Sequence, residues 1–281
     1  NPRIVYGSIS GFGQDGPYAT RAGFDQIAQG MGGLMSITGL PGQGPVRAGI
    51  PVADLTAGLS LAQGILLALI ERGQSGEGQW VHTSLLEAQI AMLDFQAARW
   101  LVGGEVPGQA GNDHPTSIPT GVFPTADGHI NIAVAGNAIW NRFLEVIGHP
   151  EWNDDPGFAT PGARSKNRVA VNAAISEVTR QRSGAEWIAI LAEAGVPAGP
   201  IYAIDEVFAD PQVQHLEMAR PMTHPALGET RVVGQAINLS RTPEPPAVRP
   251  TPEQGEHTDE VLGELGYDAA AIAALRDGGV V

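Results

Sequence analysis

Asp54 stands in Gly49-Ile50-Pro51-Val52-Ala53-Asp54-Leu55-Thr56-Ala57-Gly58, between a short apolar run and a long stretch with helical periodicity. An acid so placed reads in two ways. As a helix cap it would accept free backbone amides and complement the helix dipole. As a reagent it would be held ionised by that same helix start and could attack an activated acyl group in a dry pocket. Spacing alone favours the cap. Ala57 and Gly58 leave room for a second backbone or a ligand. Asp25, in Arg21-Ala22-Gly23-Phe24-Asp25-Gln26, again reads as a cap or turn acid. Gly111-Asn112-Asp113-His114-Pro115 gathers polar side chains after a glycine-rich stretch, and its simplest reading is an exposed turn. The seven histidines show no metal-ligand spacing on one helix face, so no metal site is expected.

The residue inventory prunes the chemistry. Lys166, in Arg164-Ser165-Lys166-Asn167, is the sole lysine, so a P-loop is excluded and a Schiff base would have only that residue to use. Zero cysteines exclude disulfides, thiolate nucleophiles and thiolate-bound metals, which fits a cytoplasmic enzyme. A formal net charge of −14, from 30 acidic and 16 basic side chains, repels phosphate backbones and argues against a nucleic-acid partner. With 43% apolar residues, no uninterrupted apolar segment approaches a membrane span, and no membrane partner is expected.

These groups need a scaffold, and 281 residues are enough for one large domain or two smaller ones. Residues 4–9 read as a buried strand that starts so early that its partners must come from elsewhere, as in a chain lacking an N-terminal segment. Gly11-Phe12-Gly13-Gln14-Asp15-Gly16 matches the dinucleotide pattern GxGxxG, but no acidic residue lies about 20 residues on; a plain glycine-rich loop beside a ligand is the better reading. A helix is expected over 55–72, with Leu55, Leu59, Ala62, Leu66 and Leu69 on its apolar face, then a strand over 79–83 and a helix over 85–102. Residues 102–111 read as a linker or mobile loop. A hairpin turning at Asp127-Gly128 follows, then helices over 139–147 and 164–182. Ser183-Gly184-Ala185-Glu186 is a capping box for a helix ending near Gly195, and 197–203 reads as a strand. Strand-like alternation returns over 221–240, before a proline-rich stretch at 242–252 and two short helices capped near Thr258 and Asp268.

Taken together, these segments resemble the class III coenzyme A transferases, the CaiB/BaiF family. The resemblance is carried by Asn1-Pro2-Arg3-Ile4-Val5-Tyr6, by 10–18 and 23–30, by the Asp54 segment, by Gly76-Glu77-Gly78-Gln79, by 111–115 and by 255–262. It implies an α/β fold: a Rossmann-like large domain at 1–105, a linker or lid at 106–119, a small α+β domain at 120–215, and a return of the chain to the large domain at 216–281. It also implies interlocked-ring homodimers. Asp54 falls at the family's catalytic aspartate, which exchanges coenzyme A between carboxylates through a mixed anhydride and an aspartyl thioester. The coenzyme A thioester is then a substrate, with a small carboxylic acid as co-substrate and no permanently bound cofactor. Asp25 falls at an acidic neighbour of the site, and Gly111, Asn112, Asp113 and His114 at the lid. Arg21, Gly11 and Gly13 become candidates for coenzyme A contacts. The same superfamily includes α-methylacyl-CoA racemases, which carry a histidine just before the acid matching Asp25. This chain has Phe24, which cannot move a proton, and no clear counterpart of their distal glutamate near 137–140. Transferase chemistry is therefore expected over racemase chemistry, with a non-catalytic truncated member as the third reading.

Overall fold

A computed structural model describes residues 1–245 and 248–281, so part of the proline-rich stretch, residues 246 and 247, lies outside the described residues. The chain forms two compact units, Asn1–Ile201 and Tyr202–Val281. The first unit opens with strand β1 (Tyr6–Ser10), passes through helices α1 (Asp25–Met31) and α2 (Leu34–Ile37), and enters the 24-residue helix α3 (Val52–Ser75). Strand β2 (Trp80–Ser84) returns parallel to β1, with Tyr6 opposite Trp80. The glycine-rich run after β1 forms bends and turns, and the first helix does not start until Asp25. That is the loop reading and not a dinucleotide fold.

Helix α3 forms where the sequence places it, but its buried face differs from the expected one. Leu55, Leu59 and Leu66 are 52%, 66% and 60% exposed, whereas Ala53, Ala57 and Ala68 are buried. Ala53 and Ala57 pack with Ala28, Leu85 and Ala88, and farther along α3 lies very close to the two strands. A methyl group at Gly64 would come within 2.6 Å of Val81, and one at Gly7 within 2.8 Å of Ile65. Close approach requires glycine at Gly64 of the helix and at Gly7 of the strand, where Leu61 and Ile65 pack, and leaves Leu55, Leu59 and Leu66 outward. By length and composition α3 is also apolar enough to cross a membrane, so the expectation that no segment approaches a span is corrected here. Its leucines and isoleucines raise the mean hydropathy, although Asp54, Ser60 and Gln63 interrupt the apolar run.

The single helix expected over 85–102 is two. Helix α4 (Leu85–Ala91) is capped by Ser84, whose Oγ accepts from the Glu87 amide at 3.1 Å. Helix α5 (Asp94–Leu101) begins at Asp94, whose φ of 46° breaks the register. Aspartate is among the few side chains that tolerate this left-handed geometry. A first apolar cluster joins Ala28, Ala53, Ala57, Leu85 and Ala88, the point where α1, α3 and α4 meet.

The rest of the first unit follows the expected α+β pattern. Strands β3 (Thr120–Pro124) and β4 (His129–Ala133) form the hairpin around Asp127-Gly128, and β5 (Ala198–Pro200) pairs antiparallel with β4. Helix α6 (Gly136–Ile147) ends on Gly148 at a φ of 80°. The helix expected over 164–182 breaks at Asn167 into α7 (Pro161–Lys166) and α8 (Arg168–Thr179), and Ser183 caps α9 (Gly184–Glu193) with the capping box complete. A second, larger core cluster fills this region, with Phe123, Ile130, Ile132, Trp140, Phe143, Val171, Ile175 and Leu191 among its members.

The second unit contains α10 (Ile204–Ala209) and α11 (Pro211–His215), then the antiparallel hairpin of β6 (Ala219–His224) and β7 (Gly228–Val233). Helices α12 (Thr258–Glu264) and α13 (Ala269–Asp277) close it, and Asp268 caps the latter through the Ala271 amide at 2.8 Å.

Candidate active site

The entry to α3 defines the site. Pro51 occupies the N-cap position and has no side chain that can cap. The Val52 amide donates to the Ile50 carbonyl at 2.8 Å, and the Leu55 amide to the Pro51 carbonyl at 3.0 Å. The Ala53 amide donates out of the segment altogether, to Asp25 Oδ1 at 2.9 Å. Asp54 is thus the third residue of the helix and not its cap. Its side chain is exposed, and its carboxylate has no hydrogen bond or ion pair among the described residues. The cap reading that spacing favoured is corrected: the capping acid of this helix is Asp25. A carboxylate in the first turn still lies where the helix dipole favours negative charge.

Asp25 is buried at the start of α1 and fully engaged. Its Oδ2 accepts from Gln29 Nε2 at 2.7 Å and from Arg47 Nη2 at 3.2 Å. Gln29, itself buried, carries the network onward. Its Nε2 also donates to the Ile50 carbonyl at 3.2 Å, and its Oε1 accepts from the Ala48 amide at 2.8 Å. The segment leading into α3 is therefore pinned to α1 at Arg47, Ala48, Ile50 and Ala53. The i, i+4 spacing of Asp25 and Gln29 on one helix is the signal that could have found Gln29 in the sequence; Arg47 had none.

Phe24 is the N-cap residue of α1, 75% exposed, and its carbonyl accepts from the Ile27 and Ala28 amides at 2.9 and 3.1 Å. Just before it, Gly23 packs on Gly11, where a Cβ on Gly11 would come within 2.7 Å of the Gly23 Cα. Gly11 is thus needed for a backbone crossing. Gly13 has a φ of 105°, and its amide donates to Ser10 Oγ at 3.0 Å. Arg21 stacks its guanidinium 3.8 Å above the Tyr18 ring.

The expected lid residues are tied down rather than loose. Gly111, at a φ of 65°, donates its amide to the Gly39 carbonyl at 3.1 Å, and Gln109 Nε2 donates to the Thr38 carbonyl at 2.7 Å. Asp113 Oδ2 accepts from Asn172 Nδ2 at 2.9 Å, and burial raises the Asp113 pKa against the opposing pull of Asn172 and Arg168. The His114 ring stacks on Phe95 at 5.3 Å, and its Nδ1 accepts from the Ser117 amide at 2.9 Å. Asn112 stays exposed and lines an open recess of about 370 Å³ with Val122, His129 and Ile201. The structure joins Asp25 to the helix of Asp54 and joins Gly111 to Gly39. No hydrogen bond or ion pair links Asp54 to Arg21 or to residues 111–114 among the described residues. No group of three or more histidine, aspartate or glutamate side chains among those residues could hold a metal ion.

The profile of CoA-transferase family III matches residues 1–258. The chain belongs to that family. It is 41% identical over 94% of its length to the succinate–glutarate CoA-transferase of Agrobacterium fabrum, and 36% identical over 100% of its length to the succinyl-CoA:glutarate CoA-transferase of Homo sapiens. It spans 66% and 64% of those two relatives' own lengths. A solved CaiB/BaiF family protein from Brucella suis, 36% identical, superposes with a TM-score of 0.78 over 94% of this chain and 68% of that one. The mixed α/β architecture is thus that of the CaiB/BaiF proteins.

Proposed function

We propose that this family III chain acts as an acyl-CoA:carboxylate CoA-transferase with Asp54 as its nucleophile. The observation that carries this is the exposed, unpartnered Asp54 carboxylate in the first turn of a long helix whose capping duty has passed to Asp25. A carboxylate that also served as cap would have an oxygen committed to backbone amides. Asp54 has both oxygens free to attack.

The chemistry balances without an external reagent. An Asp54 oxygen attacks the thioester carbonyl, the C–S bond breaks, and coenzyme A leaves as its thiolate. The mixed anhydride is then attacked by that thiolate at the Asp54 carbonyl, which expels the donor carboxylate and leaves an aspartyl thioester. The incoming carboxylate attacks this thioester, re-forming an anhydride. The thiolate attacks its acyl side, releasing the new acyl-CoA and restoring Asp54. The net reaction trades one coenzyme A thioester for another of similar energy, so the exchange needs no nucleotide hydrolysis. The relatives named for succinate and glutarate support small dicarboxylic acids as the substrate class. A homodimer is also part of the proposal, and Leu55, Leu59 and Leu66 are apolar side chains that a partner could cover. Phe24 supports transfer over racemisation, because a phenyl ring beside the acid cannot relay a proton to an α-carbon.

Incubation of the enzyme at its natural length with succinyl-CoA and hydroxylamine tests the mechanism. Mass spectrometry should find a hydroxamate on Asp54. Active enzyme without that tag would overturn it.

A further inference from the structure

Asp25 is too deeply engaged to act on a substrate, yet every bond it makes bears on the helix that carries Asp54. We propose that Asp25 is a positioning residue for transfer: a cap supplied from α1 that fixes the first turn of α3, and with it the attack angle of the Asp54 carboxylate. The inference rests on Asp54 being the nucleophile.

Local sequence cannot orient this turn. Pro51 offers neither an amide nor a capping side chain, and Val52 and Leu55 bond only to carbonyls within the segment. Among the described residues, the Ala53–Asp25 bond at 2.9 Å is the one hydrogen bond from the first three helical amides that reaches another element. It is made next door to Asp54, between the buried Asp25 and the fully buried Ala53. Asp25 cannot drift, because Gln29 and Arg47 hold its second oxygen. Gln29 also grips Ala48 and Ile50, so the approach to the helix and its first turn are fixed by one connected set of bonds. Buried networks of this kind hold a single arrangement when all members are satisfied. Displacement of a reacting group by about 1 Å can cost roughly 100-fold in rate, so a loosened first turn would slow attack without weakening substrate binding.

The test compares wild type, Asp25→Asn and Asp25→Leu at natural length, following hydroxamate formation on Asp54 in single-turnover mode. Tagging of wild type comes first, because its absence removes the nucleophile assignment and not the cap. With tagging secured, Asp25→Asn keeps an oxygen for the Ala53 amide but loses charge toward Arg47, and should slow the tagging rate constant about tenfold. Asp25→Leu should slow it by roughly 100-fold, with KM for acyl-CoA changed less than about threefold in both. A merely structural role would lower the amplitude, meaning the fraction of folded sites, and leave the rate constant as in wild type; that result overturns the proposal. If Asp25→Leu does not fold, Asp25→Asn and Gln29→Met decide: wild-type rate constants in both overturn it as well.

Discussion

The Asp25 carboxylate accepts the backbone amide of Ala53 at 2.9 Å, so the helix that presents Asp54 is capped by a residue 28 positions earlier in the chain. Capping acids usually sit at the boundary of their own helix. Here the boundary residue is proline, and the vacancy is filled from α1. This arrangement leaves the Asp54 carboxylate free of capping.

That freedom makes Asp54 cheap to replace structurally and costly chemically. Asp54→Asn keeps the size of the side chain and loses only its interaction with the helix dipole, about 0.3–1 kcal/mol for an exposed site. Coenzyme A exchange should fall by at least about 1000-fold, since an amide oxygen is a poor acyl acceptor. Urea unfolding alongside a succinyl-CoA exchange assay reads both. Residual exchange near wild type would exclude Asp54 as nucleophile.

The site was only half legible in the sequence. Asp54 stands out as a candidate because an isolated acid before an apolar helix is unusual in type and place. The cap of α3 is not legible there, because nothing in one-dimensional spacing shows that Asp25 folds back onto Ala53. Periodicity likewise located α3 but not its buried face. Leu55, Leu59 and Leu66 form a helical stripe, yet the face turned to the strands carries Leu61, Gly64 and Ile65, with Gly7 and Gly64 allowing the close approach. Turn and cap chemistry was read well where it is local: Ser183 with Glu186, Gly148, and the Asp127-Gly128 hairpin all appear as expected. The breaks at Asp94 and Asn167 were not foreseen, because neither residue is a strong helix breaker by composition.

Asp113 gives a pH-dependent prediction. Burial raises its pKa in the folded state, so folding favours its protonated form. Stability from this group is complete below the unfolded pKa of about 3.9 and is lost as pH rises through the higher folded value. Asp113→Asn keeps an oxygen to accept from Asn172 but cannot ionise. The variant should match wild type at the acid end of that window and gain on it as pH rises, with the difference constant by neutral pH. Thermal unfolding across that range checks the sign; a difference that shrinks with rising pH would contradict it.

Arg164 is buried without an acidic partner among the described residues. Its Nε donates to the Ile118 carbonyl at 3.0 Å, its Nη1 to the Phe158 carbonyl at 2.9 Å, and its guanidinium lies 4.4 Å from the centre of the Trp140 ring. Burial lowers its pKa, while the two carbonyls and the ring favour the charged form and offset part of that cost. Only a planar fork satisfies these three partners together. Arg164→Lys should therefore cost about 2 kcal/mol and Arg164→Met about 3 kcal/mol, because each leaves buried carbonyls without a donor. Denaturant titration measures both, and losses under about 0.5 kcal/mol would show that the brace is dispensable.

Gln89 presents the opposite case. It lies fully buried on α4, against Gly32, and both polar atoms of its amide lack a hydrogen-bond partner among the described residues. An orphaned buried polar group costs about 1–3 kcal/mol, whereas an apolar group of similar shape costs none of this. Gln89→Met preserves length and flexibility and removes both orphan atoms. In the isolated chain it should raise stability by about 1 kcal/mol or more. The same substitution in the assembled enzyme adds a second reading from one experiment. Stabilisation there too means the amide is an unsatisfied cost throughout, while destabilisation means that assembly brings a polar partner to Gln89.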